Sequence, residues 1–400
     1  MKRSIKISNE EKAILICCSV NVNDFMKEFK ELTNDTFNWD KFIDLAVKNG
    51  IPALVYSKIK NYDFIPSDFL TRFKEYYYYN LSKNMNLLIK SGKLLKELEE
   101  KNIKAIVLKG LSLVNKGYKD IALRQMGDLD LYIRKSDVEQ ALQIAYKHGF
   151  IHEMPTASKL NPKLDFIHAK HLPALHNGEF YLEIHTELFP NMGKLEEKAW
   201  ETVIKNKLKE VDYYELIPEI YIVYLLYHLN SHIRGNDFHI KLLYDVAILI
   251  QSSIDTLNWE QLINSLQKTE DYDRNISHLK FIQAFMSVDI PENIFVLDDN
   301  AIFFDWKQYI MYLNAGKKND DILKSKWNTF KQVKGLRNNL IFIGSFLFPS
   351  IKFMKLRYQV KNNGWLLFYY VYRPINFVFK MVLLPFRKIL KMFKKWYNNI

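Results

Sequence analysis

The chain has 400 residues, with 57 Lys and Arg against 45 Asp and Glu, and its formal net charge is +12. This length predicts two or three domains, and the ordinary shares of hydrophobic (48%) and charged (26%) residues exclude a chain that is disordered throughout. With 13 Gly, 11 Pro and 2 Cys, the composition also excludes a collagen-like chain, a disulfide scaffold and a structural zinc module built on cysteines.

The first hundred residues are predicted to be helical, because segments such as Lys83–Leu98 carry apolar residues at helical spacing. Cys17 and Cys18 are adjacent in an apolar run, which indicates buried free thiols, a reducing compartment and hence a cytoplasmic protein. The run Ala13–Val20 is short and follows mixed charges, so no signal peptide is predicted. No stretch of about 18 residues is free of charge, so no membrane-spanning helix is predicted.

A small α+β unit is predicted over residues 102–190. Its elements alternate between short apolar strands, with a period of two residues, and short helices. In chain order they are a strand at Ile103–Leu108, a short helix at Leu111–Lys116, a strand at Asp128–Ile133, a helix from a capping box at Ser136 and Glu139 through Lys147, and a third strand at Phe150–Glu153.

A hairpin closes this unit, because Asn177-Gly178 favours a type I′ turn between the alternating segments Phe166–Leu175 and Glu179–Leu188. Helical patterns return from Glu197 onward, most clearly at Tyr221–His232, Lys241–Ser252 and Trp259–Gln267. The predicted fold class is therefore α+β, with a small sheet flanked by helical regions. The predicted domains are 1–101 (helical), 102–190 (α+β core), 191–320 (helical) and 321–400 (a basic, aromatic-rich helical tail).

The motif Asp128-Leu129-Asp130 is the strongest chemical signal. In a strand, residues two apart point to the same face, so both carboxylates emerge together while Leu129 enters the core. Two converging carboxylates repel each other unless a cation lies between them, and Mg²⁺ prefers such oxygen ligands. Glu183 in the following hairpin strand, on one face with His185 and Glu187, is a candidate third carboxylate.

Two cationic residues, Lys109 and Arg124, precede this motif and could bind a phosphate group. Lys109 and Gly110 end the first predicted strand, where backbone N–H groups at the start of the next helix can bind phosphate. Arg124 precedes Asp128 by four residues and offers a guanidinium for bidentate phosphate binding.

Three segments carry a resemblance to a known family: Leu108–Ser112 (LKGLS), Arg124–Leu131 (RQMGDLDL) and Leu182–His185 (LEIH). They resemble the nucleotidyltransferase superfamily of the DNA polymerase beta type. More narrowly, they resemble the bacterial family of uncharacterised nucleotidyltransferases, which is often associated with surface-polysaccharide gene clusters. Lys241–Asp245 (KLLYD) extends the similarity to about residue 270.

The resemblance implies a mixed-sheet nucleotidyltransferase core, Mg²⁺ or Mn²⁺ as cofactor, and an NTP as substrate. It implies that Asp128, Asp130 and Glu183 are the catalytic metal ligands. Gly110 and Ser112 would form the turn that binds the nucleotide phosphates, together with Lys109 and Arg124. His185 and Asp245 are candidates for supporting residues behind these ligands, although Asp245 could equally be a charge on a helix surface.

The remaining histidines give weaker signals. His168, His171 and His176 are close in sequence, but the hairpin would place successive histidines on differing faces. His228 and His232 are four residues apart on a predicted helix, as zinc ligands can be, but position 229 is Leu where a metalloprotease motif has Glu. Packing of these two side chains near the cleft is the favoured interpretation.

The charge is concentrated at the C-terminal end. No acidic residue follows Asp321, whereas 16 Lys and Arg do, which leaves −4 for residues 1–321. Residues 351–400 hold 11 of these cations and 13 aromatics, a pattern that suits helices lying on an anionic membrane surface. Nucleic acid is a less favoured partner because no binding motif is present, and packing of a basic helical subdomain on the acidic body remains an alternative.

The leading hypothesis is therefore a Mg²⁺-dependent nucleotidyltransferase that transfers a nucleotidyl group from an NTP to an unknown acceptor, in the cytoplasm or peripheral on the inner face of the membrane. A link to surface-polysaccharide biosynthesis follows from the resemblance. Two alternatives stay open: a catalytically silent scaffold or regulator with the same fold at the membrane, and a toxin–antitoxin-type nucleotidyltransferase. Nucleotide binding that depends on Asp128 would separate the first hypothesis from the silent scaffold.

Overall fold

A computed structural model describes residues 7–21, 24–152, 172, 174–190, 192–296 and 306–315, and in the C-terminal part residues 344, 347–349, 351–358, 360 and 364–376. The chain divides into two compact units, Met1–Phe150 with His176–Asp320, and Ile151–Leu175 with Asp321–Ile400. The first unit contains five strands of the sheet and all of the residues predicted to bind metal or nucleotide.

Five helices open the first unit. Helix α1 begins with a capping box in which Ser8 and Glu11 satisfy each other's backbone N–H groups, and α4 begins with Pro52, whose fixed φ suits a first helical turn. The bounds are α1 Asn9–Cys17, α2 Phe25–Leu32, α3 Trp39–Lys48, α4 Pro52–Ile59 and α5 Ser67–Glu100.

The sheet follows, with helices between its strands. Its elements are β1 Ile106–Leu108, α6 Gly110–Leu113, a π-helical turn Val114–Tyr118, β2 Asp128–Tyr132, α7 Val138–Lys147, β3 Ile151–His152, β4 Leu175–His176, β5 Tyr181–His185, α8 Gly193–Glu201, β6 Ile204–Leu208 and β7 Val211–Glu215. Five strands lie in the order β5-β2-β1-β7-β6. Strand β2 runs antiparallel to β1 and parallel to β5, so the sheet is mixed.

Helices return after the sheet. They are α9 Pro218–Arg234, α10 Ile240–Ser253, α11 Trp259–Leu266, α12 Tyr272–Met286, α13 Asn293–Val296 and α14 Trp306–Ala315. One hydrophobic core joins α1, α3 and α4 to α9, α10 and α12 and includes Ile106, Leu108 and Tyr132 of the sheet. The sheet is thus anchored from its apolar positions, which leaves the polar positions of β2 and β5 to form a site.

The predicted α+β class with a mixed sheet flanked by helices is confirmed, and Cys17 and Cys18 are buried free thiols as predicted. Three local predictions are wrong. The turn at Asn177-Gly178 is not of type I′, because Gly178 has a positive φ and Asn177 does not. Helix α7 forms, but Asp137 and not Ser136 is its N-cap, and no side chain caps it. Residues 204–215 form the hairpin β6–β7, which the sequence did not predict. The predicted domain boundaries stay a prediction.

Of the second unit, the structure describes β3, a helix α15 at Ile351–Tyr358 and a helical segment at residues 364–376. Most of the predicted strand Phe166–Leu175, together with His168 and His171, lies outside the described residues. None of the helices that the structure describes is both long and apolar enough to span a bilayer.

Candidate active site on strands β2 and β5

Strand β2 places Asp128 and Asp130 on the polar face of the sheet. Leu129 and Leu131 between and after them are buried, each about 1% exposed, as the two-residue period of a strand requires. Asp130 is also buried, at 1% exposure, whereas Asp128 at the start of the strand is half-buried. The strand therefore carries one carboxylate deep in the site and one nearer its opening.

Strand β5 supplies the third carboxylate. Because β5 is the parallel neighbour of β2, Glu183 stands directly opposite Asp130 in the register. The Nε2 atom of His185 lies 2.9 Å from Asp130 Oδ1 and 3.8 Å from Glu183 Oε2. One ligand atom from each of Asp130, Glu183 and His185 falls within 4.8 Å of the others, as in a metal-binding group.

Lys109 brings a positive charge into this cluster. Its Nζ atom lies 2.6 Å from Asp130 Oδ1, and its backbone, between β1 and α6, has φ 50° and ψ −121°. A non-glycine residue pays roughly 1–3 kcal/mol for such a conformation. The hydroxyl of Tyr221 on α9 donates to the Lys109 carbonyl over 3.2 Å, which helps to hold the strained residue.

The three carboxylates have different pKa values because their neighbours differ. Burial alone would raise the pKa of Asp130, but Lys109 and His185 hold it well below its ordinary value. Burial and the negative charge of Asp130 raise the pKa of Glu183 to about 7, and the same two causes raise the pKa of Asp128. The cluster thus keeps one firmly ionised carboxylate beside two whose ionisation is opposed.

Arg124 and Asp245 form a second buried ion pair. The Nε atom of Arg124 lies 2.9 Å from Asp245 Oδ1, and its Nη2 atom lies 2.7 Å from Oδ2, a bidentate arrangement. The hydroxyl of Tyr118 donates to Asp245 Oδ1 as well, over 2.7 Å. Asp245 is therefore a buried partner of Arg124 and not a charge on a helix surface, being only 1% exposed.

Gly110 and Ser112 lie in α6, beside the cluster. A Cβ atom on Gly110 would fall 2.8 Å from the sulfur of Met126, so the close packing of this turn requires glycine unless Met126 moves. Ser112 is fully buried and donates to Glu215 Oε2 over 3.0 Å. The hydroxyl of Ser112 thus binds Glu215, and not a member of the Asp130 cluster.

Helix α9 contributes residues near the cluster that the sequence analysis did not assign to the site. Tyr224 is 3% exposed, and its hydroxyl has no hydrogen-bond partner among the described residues. His228 stacks on Tyr224 with ring centroids 6.2 Å apart, and it meets His232 edge to face with centroids 4.5 Å apart. Burial and Lys109 lower the pKa of His228 well below its usual value, which agrees with packing near the cleft.

Lys241 at the start of α10 is a further cation that sequence reasoning missed. Its Nζ atom donates to the carbonyl of Gln125 over 3.3 Å. Burial and the nearby Arg124 lower the pKa of Lys241 to about 8. Its place in the KLLYD segment, four residues before Asp245, was the available sequence signal.

A sequence model described as "uncharacterised nucleotidyltransferase" matches residues 35–275, which is more than half of the chain. The chain belongs to this family. The match confirms the predicted family of uncharacterised nucleotidyltransferases and the transferase class of enzyme. The matched range contains every residue of the Asp130 cluster and the Arg124–Asp245 pair. An NTP substrate follows from membership of the nucleotidyltransferases. No curated protein sequence matches the chain.

Proposed function

We propose that this nucleotidyltransferase moves a nucleotidyl group from an NTP to an acceptor hydroxyl, with Mg²⁺ or Mn²⁺ as cofactor. The observation that carries this proposal is that ligand atoms of Asp130, Glu183 and His185 lie within 4.8 Å of one another on the parallel strands β2 and β5. Asp128 lies two residues before Asp130 on β2, so the alternation of the strand places it on the same face. Burial of like charges is costly in an apoprotein, so a site of this kind is best explained by a cationic ligand.

The residues present fit a divalent cation. Asp128, Asp130 and Glu183 would hold it through carboxylate oxygens, and the His185 nitrogen is within 4.8 Å of the Asp130 and Glu183 ligand atoms. When bound, such an ion neutralises the phosphate charge of the substrate and orients the attacking oxygen. His185 and Lys109 both bind Asp130 Oδ1, so these two side chains fix the orientation of that carboxylate.

Lys109, Gly110, Ser112 and Arg124 are the proposed nucleotide-binding residues. Of these, Lys109 has its ammonium group inside the carboxylate cluster, where it can bind a phosphate oxygen. Arg124 is held by Asp245, so its contribution would come through the charge and shape of the pocket, or through an N–H group that Asp245 leaves available. Asp245 is proposed as the residue that positions Arg124.

The experiment is a turnover screen with the four NTPs in the presence of Mg²⁺ or Mn²⁺, with EDTA as the blank. Asp128→Asn and Glu183→Gln should each reduce turnover at least about 100-fold, which corresponds to about 2.7 kcal/mol of lost transition-state stabilisation. Asp212→Asn, which removes an exposed carboxylate from β7, is the matched control and should retain full activity. Turnover that survives both active-site changes would show that the chemistry happens elsewhere, and a wild type that binds NTP without turnover would favour the silent scaffold.

The acceptor and the biological setting are proposed from the resemblance. The Asp-x-Asp motif on a strand, with an acidic residue on the adjacent parallel strand, supports membership of the DNA polymerase beta type superfamily. The similarity to a bacterial family of polysaccharide gene clusters supports a sugar hydroxyl as the acceptor. Radiolabel transfer from an NTP to a panel of sugars, protein and tRNA would test this, and labelling of protein or tRNA alone would favour the toxin-type alternative.

We also propose that the C-terminal region contacts an anionic membrane surface from the cytoplasmic side. In the helical segment 364–376, Leu366 is buried, whereas large apolar side chains cover the other side and are 42–76% exposed. They are Trp365, Leu367, Phe368, Val371, Tyr372 and Ile375. Such an apolar face in a region with 11 cations and no acidic residue suits an interfacial helix.

Co-sedimentation with vesicles tests the membrane proposal. Binding to anionic vesicles should fall steeply with salt, because each Lys or Arg near the surface contributes about 1 kcal/mol and this attraction is screened. Phe368→Ser should weaken the binding that remains at high salt, whereas Tyr79→Ser, which removes an exposed aromatic from α5, should not. Truncation near residue 338 should abolish vesicle binding and leave nucleotide binding intact. Equal, negligible binding to neutral and anionic vesicles would contradict the proposal.

A further inference from the structure

Tyr224 has a buried hydroxyl group without a partner among the described residues. A buried polar group that makes no hydrogen bond costs about 1–3 kcal/mol, so native proteins retain few of them. The residue is 3% exposed, and bulk water therefore does not compensate for the missing bond. This cost needs an explanation beyond the packing of α9.

The position of Tyr224 relates it to the candidate site. One turn earlier on α9, Tyr221 binds the Lys109 carbonyl, and the rings of Tyr221 and Tyr224 are stacked with centroids 6.4 Å apart. One turn later, the ring of His228 stacks on that of Tyr224 with centroids 6.2 Å apart, and burial and the charge of Lys109 lower the pKa of His228. Burial raises the pKa of Tyr224, the charge of Lys109 opposes this rise, and the charges of the three carboxylates add to it.

Its chemistry there is that of a donor. A phenol keeps its proton at neutral pH, and burial raises the pKa of Tyr224 further. The neighbouring carboxylates attract cations, and Lys109 attracts anions. A ligand that satisfies the whole group must therefore offer oxygen acceptors to Lys109 and Tyr224. It must also bring a cation beside the carboxylates, and a polyphosphate with a bound metal ion meets both requirements.

We infer that Tyr224 is a substrate-binding residue whose hydroxyl donates a hydrogen bond to a phosphate oxygen of the bound NTP. The inference rests on the proposed function and adds to it a residue on α9. In the ligand-free structure the hydroxyl has no hydrogen-bond partner among the described residues, and a bound triphosphate would supply one. Lys109 and Tyr224 then bind the phosphates from two elements, the β1–α6 junction and α9.

The test compares Tyr224→Phe with Tyr221→Phe, the same change one turn away at a hydroxyl that is already bonded. Calorimetric titration uses inorganic triphosphate with Mg²⁺, which does not depend on the identity of the base, and then each of the four NTPs. Tyr224→Phe should weaken triphosphate binding about 10- to 100-fold, the range for a hydrogen bond to a charged group. In the ligand-free protein its Tm should be unchanged or higher, whereas Tyr221→Phe should lower the Tm.

Each outcome decides a different point. Unchanged triphosphate affinity in Tyr224→Phe, with a wild type that binds, would overturn the inference and leave the proposed function standing. A Tm loss in Tyr224→Phe as large as that in Tyr221→Phe would show that the hydroxyl is already bonded in the free protein, and would also overturn it. A wild type that binds neither triphosphate nor any NTP would overturn the proposed function, and the inference with it.

Discussion

The Arg124–Asp245 pair and the Lys109–Asp130 pair are both buried, yet their surroundings differ. The Arg124 guanidinium binds the Asp245 carboxylate through two hydrogen bonds, and the Tyr118 hydroxyl donates a third to the same carboxylate. Asp130 contacts Lys109 and His185, but the carboxylates of Asp128 and Glu183 are close as well, and the Tyr224 hydroxyl has no partner among the described residues. The first pair is complete in the free protein, whereas the second group lacks positive charge and a hydrogen-bond acceptor.

This difference indicates that the first pair has a structural role and that the second group binds a ligand. A satisfied ion pair fixes the position of the two elements that carry it, here the segment before β2 and helix α10. An unsatisfied group stores unfavourable energy that a ligand of the right charge can release. On this view the Arg124–Asp245 pair fixes the segment before β2 against helix α10, and the Asp130 cluster is where substrate binds.

The largest effect is expected from breaking the satisfied pair. Asp245→Asn should lower the free energy of unfolding by about 3–5 kcal/mol, because it leaves the buried Arg124 charge without compensation. Urea denaturation followed by circular dichroism measures this change, with Asp212→Asn as the exposed control. A loss below about 1 kcal/mol would mean that Arg124 finds another partner and that the pair does not fix the segment before β2 against helix α10.

A smaller loss is expected when Asp130 is changed. Repulsion between Asp128 and Asp130 predicts a gain in apoprotein stability for Asp130→Asn, but the structure places Asp130 between Lys109 and His185. Removing its charge should therefore cost about 2 kcal/mol, less than at Asp245 because Asp128 and Glu183 can still compensate Lys109. The same urea titration in EDTA checks this, and a stabilised variant would restore the repulsion argument.

The pH dependence of stability should carry the signature of Glu183. Its pKa in the folded protein, about 7, lies above the ordinary value of 4.5, so the folded protein keeps a proton that the unfolded chain has released between these values. Stability should therefore fall as the pH rises from about 4.5 to 7, by roughly 2 kcal/mol. In EDTA, Glu183→Gln should remove this slope. A wild type and variant with parallel pH profiles would contradict the assignment.

The smallest effect on stability is expected at Asp128. This carboxylate is half-buried and makes no hydrogen bond or ion pair with the residues that the structure describes, and burial and Asp130 raise its pKa. Asp128→Asn should therefore leave the free energy of unfolding within about 1 kcal/mol of the wild type, on the stabilising side. Because the same variant should lose nucleotidyl transfer, stability and activity would separate at one residue. A clear loss of stability would show that Asp128 has a structural role and is not kept for ligand binding.

Local patterns were sufficient to predict much of the sheet and the acidic motif. The alternation in Asp128–Tyr132 gave the strand and the shared face of its carboxylates, and the LEIH segment gave the strand that carries Glu183. The hairpin β6–β7 was missed because Ile204–Leu208 reads IKNKL, with two lysines on a sheet edge where apolar alternation is not required.

Contacts between elements that are distant in sequence could not be predicted from the local patterns. Helix α9 is apolar on nearly every side, so periodicity could not show which face of the helix meets the sheet or that Tyr224 lies beside the cluster. The contact between Arg124 and Asp245 joins residues 121 positions apart, and no local rule predicts it. The partner of Ser112 is likewise set by β7, a strand that was not foreseen.

The backbone of Lys109 has a consequence for how this site can change over time. Its positive φ is a conformation that glycine adopts freely and lysine adopts at a cost. A chain that had lost Asp130, the buried partner of the ammonium group, would gain local stability by exchanging this lysine for glycine, because the exchange would relieve the strain without leaving a buried charge unpaired. Retention of lysine at this position is thus a simple sequence marker of an intact site. Its replacement by glycine in a relative, together with loss of Asp130, would indicate a protein that has kept the fold and lost the activity.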